Sequence, residues 1–151
     1  LLRWKFIKAL APLLKKAGLT LHLETNGVLY RELAAVKGLV DVVAMDIKLP
    51  SSTGGKGRWA DHEKFLACAP EKTFIKTVLT SKTSLADVKR AVALAAGVCP
   101  GAPFFIQPAT ARRGKARPPS AKFVLEASCL ASAKLGRVKI LPQQHPIWGV
   151  K

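Results

Sequence analysis

Four short polar clusters stand out because each one follows directly on a run of apolar residues. They are Glu24-Thr25-Asn26-Gly27, Asp46-Ile47-Lys48, Gln107-Pro108 and Gln143-Gln144-His145. In the second cluster, the alternation of a β-strand places Asp46 and Lys48 on one face. A carboxylate and an ammonium at one strand end suit different polar parts of a single ligand. The clusters therefore predict a binding site for a small polar molecule.

Each cluster alone also has a purely structural explanation. Thr25-Asn26-Gly27 is a turn sequence, Asp46 and Lys48 could form a structural ion pair, and Gln107-Pro108 could simply end a strand. Their joint occurrence favours a site, because ligands of parallel α/β sheets bind at the carboxyl ends of the strands.

The elements that must position these clusters are predicted by alternating helical and strand periodicity. Helices are predicted at 4–17, 28–36, 62–69, 84–96 and 120–135, and strands at 19–23, 40–47, 73–79, 103–106 and 138–141. Pro12 predicts a kink or a restart in the first helix. Residues 50–57 are predicted to be an irregular connection, either a lid or an ordinary loop. The alternation predicts an α/β fold with parallel strands, in a barrel-like curved sheet or an open doubly wound one.

Length and composition predict a single globular domain over residues 1–151. The chain is 49% hydrophobic, yet no window is apolar enough for a membrane span. Its formal charge of +16 suits polyanions or acidic small molecules. The basic residues are scattered, apart from Arg112, Arg113, Lys115 and Arg117, and no nucleic-acid module or aromatic platform accompanies them. A solvated basic surface is therefore favoured over a nucleic-acid site, and the role of the 112–117 loop stays open.

The three cysteines do not have the spacing of a metal site. Cys68, Cys99 and Cys129 are too far apart in the sequence for a compact zinc or iron–sulfur motif. Their odd number indicates a reducing compartment and therefore the cytoplasm. We expect each to be a small apolar side chain, and no metal ligand is assigned in this chain.

The motifs around the four clusters resemble a known family. Leu23-Glu24-Thr25-Asn26-Gly27, Met45-Asp46-Ile47-Lys48, Ile106-Gln107-Pro108 and Leu141-Pro142-Gln143-Gln144-His145 are similar to radical S-adenosylmethionine (SAM) proteins of the 7-carboxy-7-deazaguanine synthase family. The resemblance covers essentially the whole chain. It implies a partial radical-SAM-type (βα) barrel whose first strands are missing. Leu1-Leu2-Arg3-Trp4 looks like the sequence after a Gly-Gly-Glu-Pro motif, so the CxxxCxxC segment that holds a [4Fe-4S] cluster is expected upstream of Leu1.

The resemblance also implies an activity and a set of site residues. The family uses SAM and a [4Fe-4S] cluster to convert 6-carboxy-5,6,7,8-tetrahydropterin to 7-carboxy-7-deazaguanine, a carbon–nitrogen lyase reaction of queuosine biosynthesis. It implies pterin contacts for Gln107 and His145, although Pro146 replaces a frequent lysine of the relatives. It gives no catalytic residue. The implied cofactor-binding residues are Glu24 (methionyl amine, or substrate), Thr25, Asn26, Asp46 (ribose hydroxyls) and Lys48 (methionyl carboxylate).

Further expectations follow from the same resemblance. The full-length protein would be a homodimer, its magnesium requirement stays open, and residues 1–151 alone would be inactive and free of iron. Two alternatives remain at this point. One is a radical SAM activating enzyme for a protein partner, which would share Glu24, Asp46 and Lys48 but give no reason for Gln107 and His145. The other is a non-enzymatic, basic module that binds nucleic acid.

Overall fold

The five strands of the sheet are all parallel and lie side by side in the order in which they occur in the chain. The computed structural model describes residues 1–111 and 117–143. The strands are β1 (His22–Thr25), β2 (Val42–Asp46), β3 (Thr73–Leu79), β4 (Phe104–Pro108) and β5 (Val138–Ile140).

Helices connect the strands in regular alternation. They are α1 (Trp4–Lys16), α2 (Tyr30–Val36), α3 (Pro50–Thr53), α4 (Trp59–Cys68), α5 (Leu85–Val98) and α6 (Ala121–Ser132), with a 3-10 turn at Pro70–Lys72. Two helices have a serine N-cap: the Ser84 hydroxyl accepts from the Asp87 amide and that of Ser120 accepts from the Phe123 amide, both at 3.2 Å. None of the helices within the described ranges is long and apolar enough to cross a membrane.

Parallel strands in sequential order, joined by the right-handed crossovers usual for such sheets, place the connecting helices of the described residues on one face of the sheet. Burial along β3 shows the result. Ile75, Thr77 and Leu79 face the helices and are fully buried, whereas the alternate residues Phe74 and Lys76 are only partly buried. The predicted partial (βα) barrel is therefore confirmed. The doubly wound alternative is wrong, because it would need helices on both faces and a break in the strand order.

The hydrophobic core lies between the sheet and the helices. Its fully buried side chains come from β2, β3 and β4 on one side and from α2, α4 and α5 on the other, among them Val43, Met45, Ile75, Phe104, Ile106, Leu33, Phe65, Leu66, Val88 and Val92. β2 is buried along most of its length, as its continuous apolar run predicts. This core covers one face of the sheet and leaves the other face available to a ligand.

Two sequence expectations are corrected by the structure. The first helix continues through Pro12 without a restart, from Trp4 to Lys16. Residues 50–57 are not entirely irregular, because they begin with the short helix α3. That helix is held against the start of α5 by bonds from the Ser51 amide to Asp87 (2.8 Å) and from the Ser84 amide to the Ser51 hydroxyl (2.9 Å). These bonds favour an anchored connection over a lid.

Candidate functional site

The polar residues of the candidate site lie on the face of the sheet that the helices leave open, which we call the lumen face. Strand register places Glu24 beside Ala44, Asp46 beside Lys76, and Lys76 beside Phe105. Since neighbours in register on parallel strands point to the same side, these side chains share the lumen face. Gln107, two residues after Phe105, points the same way. Glu24, Asp46 and Gln107 thus share this face near the carboxyl ends of their strands, and Lys48 joins them through its contact with Asp46.

A cavity of about 580 Å³ opens on the lumen face. It is lined by His22, Glu24, Ala44, Phe74, Lys76, Pro103, Phe105, Gln107, Leu141 and Gln143. Asp46 and Lys48 are not among these lining residues. A cavity of this size, with a mainly apolar wall and a few polar groups, is typical of small-molecule sites.

Aromatic rings form the floor of the cavity, which we call the aromatic floor: His22, Phe74 and Phe105. The rings of Phe74 and Phe105 pack edge to face with centroids 5.3 Å apart, and those of His22 and Phe74 lie 5.7 Å apart. His22 is exposed in this open cavity. His22 lies two residues before Glu24 on β1 and therefore shares its face of the sheet. The floor offers an aromatic ligand a surface against which to pack.

Above this floor, Lys76 of β3 forms a salt bridge with Glu24 of β1. The pair spans β2, where Ala44 carries only a methyl group. The Lys76 side chain is 17% exposed and that of Glu24 is 69% exposed, so the lysine side chain is the more buried of the two partners. The hydrogen bond from Lys76 lowers the pKa of the Glu24 carboxyl below its ordinary value, against an opposing effect of burial.

A second ion pair lies at the carboxyl end of β2. Lys48 Nζ donates to Asp46 Oδ2 at 2.6 Å, which confirms the common face predicted for the two residues. The other carboxylate oxygen, Asp46 Oδ1, is buried and has no hydrogen-bond partner among the described residues. Buried carboxylate oxygens are rarely left without a hydrogen bond, so this oxygen is a candidate acceptor for a ligand donor. A ligand hydroxyl would satisfy it.

The turn after β1 is held from the helical side of the sheet by a hydrogen bond to His62 of α4. Gly27 has a φ of +67°, and the Thr25 hydroxyl accepts from its amide at 3.3 Å. His62 Nδ1 lies 2.9 Å from the Gly27 carbonyl oxygen, so Nδ1 must carry the hydrogen. His62 is almost fully buried, and burial lowers its pKa more than the bond to Gly27 raises it. Burial therefore favours the neutral imidazole.

The structure places the three predicted cofactor-binding residues of this segment, Glu24, Thr25 and Asn26, in different surroundings. Thr25 lies on the opposite strand face from Glu24, and its hydroxyl is engaged within the turn. Asn26 is exposed just beyond the strand. The cofactor contacts expected of Thr25 and Asn26 therefore stay predictions, whereas Glu24 is placed directly in the cavity.

The last two clusters meet beside β4. Gln143 Oε1 accepts from the Thr110 amide at 3.0 Å, and Gln143 and Gln107 both line the cavity. Gln144 and His145 lie outside the described residues, as do Arg112, Arg113 and Lys115 of the basic cluster. The pterin contact predicted for His145 thus stays a prediction.

The described residues do not provide a metal centre. In residues 1–111 and 117–143, no three histidine, cysteine, aspartate or glutamate side chains come close enough to hold an ion. Cys68, Cys99 and Cys129 are free thiols, and Cys99 Sγ lies 3.4 Å from the Pro70 carbonyl oxygen. These residues therefore do not fit an iron–sulfur cluster.

Three contributors to the cavity were not assigned by the sequence. Phe74 and Phe105 look like ordinary core residues in a strand, and Gln143 was noticed but given no role. The available signal was Lys76: a lysine in the middle of an apolar strand indicates that its face of the sheet is polar or open, which places Phe74 on that face too.

Two known proteins are similar to this chain, one in sequence and one in fold. The chain is 37% identical over 150 residues to a 7-carboxy-7-deazaguanine synthase of Geobacter sulfurreducens; the match covers 99% of this chain and 59% of the relative. The chain thus spans about three-fifths of the relative's length. A radical SAM methyltransferase from Sphaerobacter thermophilus has a similar fold, with a TM-score of 0.58 and 13% identity over 82% of this chain and 40% of that protein. No family model matches the chain. The resemblance predicted from the motifs is confirmed.

Proposed function

Because this chain is a relative of 7-carboxy-7-deazaguanine synthase and has the fold of a radical SAM protein, we propose that it forms the SAM- and pterin-binding part of such a synthase. The observation that carries the proposal is the lumen face. Glu24 and Gln107 line a cavity with an aromatic floor, and the Asp46–Lys48 pair lies outside that lining at the carboxyl end of β2. The reaction proposed for the whole enzyme is the conversion of 6-carboxytetrahydropterin to 7-carboxy-7-deazaguanine.

The Asp46–Lys48 pair has the chemistry to hold SAM. Oδ1 of Asp46, which has no partner among the described residues, can accept from a ribose hydroxyl, and the half-exposed Lys48 side chain can donate to the methionyl carboxylate. When bound at a reduced iron–sulfur cluster, SAM supplies the radical chemistry of the reaction. The part of Asp46 and Lys48 is to bind and orient the cofactor at the end of β2.

The cavity has the chemistry to hold a pterin. Phe74 and Phe105 can pack against the heterocycle, and the side-chain amide of Gln107 can both donate to and accept from its amide-like edge. His145 is proposed as a further pterin contact from the resemblance. The large positive charge of the chain suits a substrate that carries a carboxylate.

Direct binding tests this proposal on residues 1–151. 6-Carboxypterin, a fluorescent aromatic relative of the substrate, should bind with quenching, and SAM should give a calorimetric signal. Lys139→Met is the matched control. Lys139 is paired with Phe105 and so lies on the lumen face, but it is exposed and does not line the cavity. Binding of both ligands, unchanged in this control, is expected; a wild-type chain that binds neither would contradict the proposal.

The iron–sulfur cluster is a separate matter, because the described residues do not fit it. We propose that the cluster ligands, the lyase activity and any homodimer belong to the full-length enzyme, and that the site of action is the cytoplasm. Anaerobic reconstitution of residues 1–151 with iron and sulfide should give no stoichiometric cluster absorption. A stoichiometric cluster on this chain would show that its own cysteines assemble one.

The two alternatives predict different ligands. An activating enzyme would bind SAM through Asp46 and Lys48 but would not bind 6-carboxypterin. A nucleic-acid module would bind DNA or RNA with an affinity that falls steeply as salt is added. The structure gives the nucleic-acid alternative no added support, because Arg117 is the one member of the basic cluster within the described residues. Fluorescence polarisation with labelled oligonucleotides at low and moderate salt tests it.

A further inference from the structure

The Glu24–Lys76 salt bridge has a feature that register alone does not explain. In the sheet, the neighbour of Lys76 on β2 is Asp46, a carboxylate on the same face. Asp46 is nevertheless paired with Lys48, and Lys76 reaches past β2 to Glu24 on β1. Ala44 makes this contact possible. It is the register partner of Glu24 on β2, and its small methyl group leaves space for the Lys76 side chain to pass over β2. The two acids are therefore divided between two lysines.

The two ion pairs also differ in their surroundings. Glu24 and Lys76 both line the cavity, together with the aromatic floor and Gln107. The Asp46–Lys48 pair lies outside this lining, at the end of β2, where Asp46 keeps a buried oxygen without a described partner. The lumen face thus has two polar centres, one in the cavity and one beside it.

We propose that Lys76 is a positioning residue that holds the Glu24 carboxylate over the aromatic floor, and that this pair recognises the heterocyclic substrate and not the cofactor. The inference rests on the proposed function for the identity of the heterocycle. Glu24 was expected to contact the methionyl amine or the substrate; its place in the cavity favours the substrate.

The chemistry of the pair supports this division. Lys76 donates to Oε1 of Glu24, and Oε2 has no bond to another described residue, so one carboxylate oxygen is available to a ligand. An ionised carboxylate accepts hydrogen bonds and cannot donate them. It would therefore select a ligand edge with N–H donors, such as the amino and ring N–H groups of a pterin. Without Lys76, the exposed Glu24 side chain would have no contact that fixes its direction.

The first experiment follows the Glu24 carboxyl directly in protein labelled with ¹³C-glutamate, where the Glu24→Gln variant identifies its NMR signal. The groups that act on Glu24 are Lys76, His22 and Lys48, with Lys76 the largest. Lys76→Met should raise the titration midpoint, Lys76→Arg should keep it low, and the control Lys139→Met should leave it unchanged. A midpoint that does not move in Lys76→Met would overturn the positioning role.

The second experiment assigns the ligand, with 6-carboxypterin and SAM titrated separately. Lys76→Met and Glu24→Gln should each weaken 6-carboxypterin binding about tenfold, the scale of one charge-assisted hydrogen bond, and leave SAM binding unchanged. Loss of SAM affinity with intact pterin affinity would overturn the inference and assign the pair to the cofactor. Equal pterin affinity in wild type and both variants would also overturn it, while the proposed function would stand. If the wild type binds neither ligand, the proposed function fails and so does this assignment of the pair to a substrate.

Discussion

His62 in α4 donates its Nδ1–H to the carbonyl oxygen of Gly27, 2.9 Å away and 35 residues earlier in the chain. The bond joins the helical layer to the turn that follows β1, and so to the strand that carries Glu24. Gly27 itself lies under Met45, since a Cβ atom at this position would be 2.7 Å from Met45 Cγ and 3.3 Å from His62 Nδ1. The site is therefore supported from the core side by one glycine and one histidine.

Gly27→Ala should be strongly destabilising. It adds the cost of a left-handed backbone, about 1–2 kcal/mol for an L-residue, to a steric clash with Met45 in a fully packed core. The matched control is Gly18→Ala: Gly18 has a φ of +76° but no atom within 4 Å of its Cβ position. Urea unfolding of both variants separates the two effects. Equal losses of unfolding free energy would mean that Met45 moves aside at no cost.

Acidification should destabilise the fold through His62. Burial lowers the pKa of this imidazole in the folded protein below its ordinary value of 6.5, so the unfolded chain binds the proton more tightly. The stability that depends on neutral His62 is complete above that ordinary value and is lost as the pH falls through it toward the lower, folded pKa. Urea unfolding at a series of pH values should show this decline.

The variants His62→Gln and His22→Gln isolate this contribution. His62→Gln should be less stable at neutral pH but lose less stability between neutral and mildly acidic pH, because a neutral amide cannot take up the proton. His22 is exposed on the lumen face, so His22→Gln is the matched control for the loss of an imidazole outside the core. If His62→Gln keeps the full decline, the proton responsible is bound elsewhere.

Lys48→Met should weaken SAM binding by about 1.5 kcal/mol, the lower part of the range for charge-assisted hydrogen bonds. The lower part applies because the Lys48 side chain is 49% exposed, so water partly screens its charge. Calorimetry on wild type, Lys48→Met and the control Lys139→Met measures the effect, and 6-carboxypterin affinity should not change in either variant. Unchanged SAM affinity in Lys48→Met would remove Lys48 from the cofactor site.

Residues 1–151 should self-associate through α1 and β1. Phe6 and Leu13 are 64% and 66% exposed on α1, and Leu2 is exposed beside them. Within the described residues β1 pairs with β2 alone, so its outer edge has unpaired backbone groups. The charge of +16 opposes association, so added salt should promote it. Sedimentation velocity at two salt concentrations tests this.

The double variant Phe6→Glu, Leu13→Glu should reduce this association. Leu125→Glu is the matched control, because Leu125 is 61% exposed on α6, far along the chain from α1 and β1. A wild-type chain that stays monomeric at high protein concentration and high salt would contradict the expectation.

The sequence predicted some elements better than others. Strand β3 was predicted with the observed bounds, because its β-branched and aromatic residues favour a strand, and burial alternates along it in the structure. Strand β1 was predicted at 19–23 but lies at His22–Thr25. Leu19 and Leu21 line a second cavity with α1 before the strand begins, although Leu19 is itself 53% exposed. Propensity does not distinguish these two uses of an apolar run.

The site was predictable where its geometry is local. Asp46 and Lys48 are two residues apart on one strand, and alternation alone brings them together. Glu24 and Lys76 are 52 residues apart, and their contact depends on the register of three strands and on a small residue between them. A single sequence does not specify that register. It shows a lysine in an apolar strand that must find a partner, but not which acid it finds.

Sequential strand order also bears on how the domain unfolds. Each strand–helix unit packs mainly on the units before and after it, so opening can begin at an edge without breaking the centre. β3 is central and should have the slowest amide hydrogen exchange, whereas β1 is bordered by one strand among the described residues and should exchange faster. The Glu24–Lys76 salt bridge connects these two strands. A ligand that binds the pair would therefore slow amide hydrogen exchange in β1 more than in β3. Slower exchange of this edge strand would then indicate that the site is occupied.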